Sequence, residues 1–192
     1  MKHSELKKIV LIGASTGGPG QIEKIVKSLP FLENTSIIIA QHLAQGFAKS
    51  FASRLDSIGS NHVLVADDKE KLEVSNIYIC CAQTSILKKN TQFVFQQKPL
   101  FANAYNPDIN LLFNSFIPFT NELNILSVIL TGIGEDGVQG CKELTLNGAR
   151  SITESSSSAI VDGMPSRARI EIENIEIENV NGILNKIKEF CS

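Results

Sequence analysis

Lys8–Ile12 runs from a lysine straight through four aliphatic residues into Gly13, and Ser15-Thr16-Gly17-Gly18-Pro19 follow almost at once. Such a run has no polar face to offer water, so as a strand it must be covered on both sides. Two-sided cover means a parallel sheet with helices above and below it. Proline suits the first turn of a helix. Ile22, Ile25, Val26 and Leu29 then recur at helical spacing until Pro30 ends the pattern.

The alternation continues. Ser36–Ala40 is a second buried strand. Phe47, Phe51, Leu55 and Ile58 mark an amphipathic helix ending at Gly59, and His62–Ala66 is a third strand. In the middle, Ile77–Cys81, Ser85–Leu87 and Gln92–Gln96 are short strand-like runs between polar turns, which predicts an antiparallel excursion. Asn106 and Pro107 read as the N-cap and first position of a helix carrying Leu111, Leu112, Ser115 and Phe116. Ile125–Leu130 is a further buried strand, Val138–Asn147 a helix closed by Gly148, and Ser151–Thr153 a short strand. Ile170–Ile177 alternates apolar and charged residues, as an edge strand does, and Ile183–Phe190 is a terminal helix. No repeat or linker divides the chain. Residues 1–192 therefore read as one α/β domain: a doubly wound, mostly parallel, Rossmann-like sheet.

Composition removes several classes of function. Eighteen Lys and Arg against 20 Asp and Glu give a net charge of −2, without the basic excess of a nucleic-acid binder. No apolar run approaches the ~18 residues of a membrane span, and the stretch after Lys7 and Lys8 is too short for a signal peptide. A cytoplasmic protein is expected. The four cysteines, Cys80, Cys81, Cys141 and Cys191, lack zinc-ligand spacing and read as reduced, mostly buried thiols. No carboxylate cluster suggests a metal, and no cofactor is expected.

Parallel sheets bind ligands beyond the carboxyl ends of their strands, and three such ends carry chemistry. The first, Gly13–Gly17, matches G-x-S-x-G, a tight turn that lifts a serine hydroxyl above a sheet. Ser15 is thus a candidate nucleophile, although a glycine-rich turn before a helix also suits phosphate or simple close packing. The second end is Gln41-His42. If the first two strands pair, His42 emerges beside Ser15, as a general base or as a structural histidine. His3 lies near the terminus, and His62 begins a strand, at the opposite edge. The third end is Thr131–Gly137, where Asp136 would orient the imidazole or cap the next helix.

At these residues the chain resembles the catalytic domain of the bacterial chemotaxis protein-glutamate methylesterases (CheB). The motifs lie in family order: Ile12–Gly18 (IGASTGG), Gln41–Leu55 with its QH and GFAKSFASRL patterns, Ile129–Gly137 (ILTGIGEDG) and Ala159–Pro165 (AIVDGMP). The resemblance implies hydrolysis of γ-glutamyl methyl esters on the cytoplasmic domains of methyl-accepting chemotaxis receptors, and deamidation of certain glutamines. It implies Ser15 as nucleophile, His42 as base, Asp136 as orienter and Thr16 as a neighbouring hydroxyl. Oxyanion donors are expected among backbone N–H groups near His42 and Ile133 and at the helix start behind Gly18, with Thr16, Gly17 and Ile133 as substrate or oxyanion residues. Ile133 stands where the family usually has Met. Cys81-Ala82 replaces a Pro-Gly, and Phe101–Asn106 replaces a basic segment, which redirects receptor contacts toward a less acidic patch. The family commonly carries an N-terminal receiver domain. Here the first strand begins within ten residues of Met1, so a stand-alone catalytic domain without phosphorylation in cis is expected. A non-catalytic phosphate- or nucleotide-binding protein, or a scaffold on the same fold, is the alternative.

Overall fold

The computed structural model describes residues 6–44, 46–98 and 105–192. His3 and Phe101–Ala104 of the expected receptor patch lie outside the described residues. Seven strands form one sheet: β1 (Lys8–Ala14), β2 (Thr35–Gln41), β3 (His62–Val65), β4 (Asn76–Ile79), β7 (Asn124–Ile129), β8 (Arg150–Glu154) and β9 (Glu176–Glu178). Their order is β3-β4-β2-β1-β7-β8-β9 and every pairing is parallel. From β1 the chain builds outward to one side, then returns to build β7, β8 and β9 on the other. The switch point, where ligands bind in such sheets, lies between β1 and β7. The fold is the doubly wound α/β sheet that the alternating pattern predicts.

The uninterrupted apolar runs have their physical explanation in two cores. Along β1, Ile9 and Leu11 face one layer while Val10 and Ile12 face the other. The second layer holds α1 (Gly18–Ser28), α2 (Phe47–Asp56) and α6 (Val180–Cys191), through Ile22, Ile25, Ala52, Leu55, Ile183 and Ile187. The first layer holds α3 (Ile109–Ser115), α4 (Val138–Leu146) and α5 (Met164–Glu171). It also takes in the antiparallel hairpin of β5 (Gln83–Lys89) and β6 (Gln92–Lys98), whose Ile86, Phe93 and Phe95 cover the sheet near α3.

Four expectations are corrected. Ile77–Cys81 does not belong to the antiparallel excursion: Asn76–Ile79 is inserted between β2 and β3 as a parallel strand. Ile77, Tyr78 and Ile79 are successive buried residues, the same two-sided burial seen in β1. Asn106 is not the N-cap of α3. Asp108 is, accepting a hydrogen bond from the Leu111 N–H at 2.7 Å, after a cis Asn106–Pro107 bond. Of Ile170–Ile177, the first residues belong to α5, and only Glu176–Glu178 pairs at the sheet edge. Phe47 does not face the core with Leu55 but is 62% exposed, because Ala48, Ala52 and Leu55 form the buried stripe of α2.

Candidate active site

The pairing of β1 with β2 matches Gly13 with Ala40 and Ala14 with Gln41, so Ser15 and His42 leave the sheet together. The His42 N–H donates to the Ala14 carbonyl at 3.0 Å, one further rung of the same ladder. The Ser15 Oγ lies 3.1 Å from His42 Nδ1. On the far side of the ring, His42 Nε2 lies 2.8 Å from Asp136 Oδ2. Serine, histidine and aspartate therefore form one hydrogen-bonded row across three strand ends. With a carboxylate accepting at Nε2, the proton resides there and the Nδ1 lone pair faces the serine hydroxyl.

The turn below Ser15 is held from several sides. Gly13 gives room to the start of α3, where a β-carbon would come within 2.6 Å of Ile109. Gly17 has φ +86°, a backbone region that side-chain-bearing residues rarely adopt. The Ser15 N–H donates to the Thr131 carbonyl at 3.0 Å, and the Thr131 hydroxyl donates to the Thr16 carbonyl at 2.9 Å. Thr131 is itself held by the buried carboxylate of Glu154, which accepts its N–H at 2.9 Å. Glu154 also accepts from Gln21 and Ser158, at 2.6 and 2.7 Å. Gln41, 1% exposed, donates to the carbonyls of both Ser15 and His42, at 2.9 and 2.8 Å, and so ties the two together.

Asp136 is 1% exposed and does not cap α4, whose N-cap is Gly137. Its carboxylate instead receives the first amides of α3, Ile109 N–H at 2.9 Å and Asn110 N–H at 3.2 Å. These bonds fix the carboxylate against the start of α3, with Oδ2 turned to the imidazole. Asp108 lies close by, and burial pushes its carboxyl up, with the charge of Asp136 adding to the effect.

Near the expected oxyanion donors, the His42 N–H is committed to the Ala14 carbonyl and the Gly18 N–H to the Ser15 carbonyl at 2.9 Å. Among the described residues, the amides of Thr16 and Gly17 and that of Ile133 donate to no backbone carbonyl. Ile133 is 63% exposed on the rim. His62 is remote, paired with Asp56 at 3.1 Å beside the opening of β3.

Four residues hold the site in ways that the sequence does not assign. Gln41, Thr131 and Glu154 are polar residues at strand ends, and a strand-end position above a parallel sheet was their signal. Tyr105 stacks on His42 with its centroid 5.0 Å away and the planes 5° apart. It lies in the Phe101–Asn106 segment that the sequence marks for receptor contacts, but nothing in the local pattern points to a contact with His42.

Among the described residues no helix is long and apolar enough to cross a membrane, and no group of His, Cys, Asp and Glu has metal-site geometry. The family model for the CheB methylesterase matches residues 10–187. The chain is 32% identical over 191 residues to a protein-glutamate methylesterase/protein-glutamine glutaminase of Carboxydothermus hydrogenoformans, covering 97% of this chain and 54% of that one. It is 34% identical to one of Caldanaerobacter subterraneus, covering 92% and 49%. The chain thus spans about half the length of the curated relatives it matches. The crystal structure of the Thermotoga maritima CheB methylesterase catalytic domain superposes with a TM-score of 0.86 at 29% identity, covering 95% of this chain and 98% of that one.

Proposed function

Since the chain belongs to the CheB methylesterase family, we propose that it is a serine hydrolase that removes methyl groups from γ-glutamyl methyl esters of chemotaxis receptors. The observation that carries this reading is the row Ser15–His42–Asp136, closed at 3.1 and 2.8 Å. Ser15 Oγ attacks the ester carbonyl while His42 Nδ1 takes the hydroxyl proton. Asp136 holds the proton at Nε2 and stabilises the imidazolium that forms. The tetrahedral oxyanion is met by amides of the Thr16-Gly17 turn and of Ile133. Collapse expels methanol, which receives the proton from His42, and leaves a glutamyl ester on Ser15. Water, deprotonated by the same nitrogen, attacks that ester and frees the glutamate.

The same cycle on a glutamine side chain releases ammonia, in keeping with the double name of the relatives. Residues 1–192 act as one catalytic domain in the cytoplasm, on the cytoplasmic part of the receptor, and the cycle needs no cofactor.

The test is methanol release from methylated receptor fragment, with Ser15→Ala beside the parent protein. The variant should lose roughly 10³-fold or more in turnover while keeping its far-UV circular dichroism. If it retains most of its activity, the reading is wrong.

A further inference from the structure

We propose that Tyr105 is a positioning residue for the base, acting through the face of its ring on His42. This rests on the hydrolase reading above.

Two hydrogen bonds at the ring nitrogens, from Ser15 and to Asp136, hold the imidazole along the line that joins them. They leave the ring free to tilt about that line, and tilting takes the Nδ1 lone pair off the serine hydroxyl. Beyond the side chain's own tether to the backbone, a surface lying flat against the ring opposes the tilt. Tyr105 supplies it, nearly coplanar at 5° with centroids 5.0 Å apart, an offset stack. The same face covers one side of a base whose side chain is 15% exposed with Tyr105 in place.

Tyr105 is held in turn. Its carbonyl accepts from Gln83 Nε2 at 2.7 Å, and Gln83 Oε1 accepts from the Asp108 N–H at 3.0 Å. Gln83 is 3% exposed on β5, so the antiparallel hairpin anchors the segment that leads into α3. At its other end the phenol lies over Gly134, where a β-carbon would begin 3.1 Å from the hydroxyl. The ring therefore bridges the hairpin and the turn that carries Asp136, with His42 beneath it. Its hydroxyl has no part in holding the base, so the aromatic face is the functional feature.

The experiment compares Tyr105→Phe, which keeps the face, with Tyr105→Leu, which keeps bulk and loses the ring. Turnover is read as methanol release from a synthetic helical peptide bearing γ-methyl glutamate. The His42 ring protons are read by NMR in the free protein. The Phe variant should stay within about twofold of the parent in kcat. The Leu variant should lose about tenfold or more in kcat, with KM within about threefold, since the defect lies in the base and not in binding. In the spectra, the parent and Phe variant should share upfield-shifted His42 ring protons, and the Leu variant should lose that shift. The proposal is overturned if Leu matches the parent in kcat, if Phe is as damaged as Leu, or if the His42 shift is the same in all three. The NMR arm needs no turnover, so a broken stack is distinguished from failure of the hydrolase reading, which appears as equal turnover in the parent and Ser15→Ala.

Discussion

Asp136 serves two masters with two oxygens. Its Oδ2 accepts from His42 and from Ile109, and its Oδ1 accepts from Asn110. All these partners are donors, so an amide in its place would aim its own N–H₂ at N–H groups. Asp136→Asn should therefore fail twice. Turnover should fall roughly 10³- to 10⁴-fold, because the needed tautomer is lost. Unfolding in urea should show a cost of about 1–3 kcal/mol, the range for a buried donor left without an acceptor. Asp108→Ala serves as the contrast. It removes the helix cap at Leu111, costing about 1 kcal/mol, while the Asp136–His42 bond stays intact, and should leave much more of the activity. Comparable activity losses in the two variants would mean that the helix start, and not the imidazole, is what Asp136 chiefly serves.

Helices α3 and α4 cross so closely at Gly140 that a β-carbon there would come within 2.8 Å of Phe113 Cβ and 3.2 Å of the Asn110 backbone. The Asn110 side chain also accepts the Gly140 N–H at 2.7 Å. Gly140→Ala must push α3 away, at a cost of about 1–3 kcal/mol for overpacking. Because the amides that α3 gives to Asp136 sit at that same end, kcat should fall along with the melting temperature. A stability loss with kcat unchanged would show that the helix start moves independently of the crossing. Such couplings between elements are where the sequence falls silent. The β1 run and its G-x-S-x-G turn are legible because burial and turn chemistry are local. Strand order is not local: nothing in Asn76–Ile79 says that it inserts between β2 and β3, since that choice belongs to the partners it finds. Ser15, His42 and Asp136 could be named from their strand-end positions. Tyr105 could not, because its place over His42 depends on contacts with Gln83 and Gly134 that no local pattern reveals.

For the molecule as a whole, the far sheet edge is fastened by charge. Arg150 on β8 grips Glu176 on β9 with two bonds, of 2.5 and 2.9 Å. Hydrogen bonding from Arg150 holds the Glu176 carboxyl below its ordinary range, against a smaller opposing effect of burial. An acid with a lowered folded pKa adds stability above its unfolded value, and that stability drains away as pH falls through the folded one. Both side chains are about one-third exposed, so screening keeps the contribution below ~1 kcal/mol. Melting curves from neutral pH downward should show Glu176→Gln less stable than the parent at neutral pH, the two converging below the carboxylate range. A gap that persists into strong acid would mean that packing, not charge, fastens the edge. At the sheet centre, neighbouring strands meet residue for residue, Ala14 beside Gln41, and Ser15 with His42 is simply the next rung. Ser15 and His42, the proposed nucleophile and base, are 27 positions apart in the chain, yet their separation in space is counted from the ladder and not along the connection. Turns at the opposite end of the sheet can thus be lengthened or shortened without moving Ser15 relative to His42. One residue gained or lost inside either central strand turns every following side chain to the wrong face, and the pair is gone in a single step.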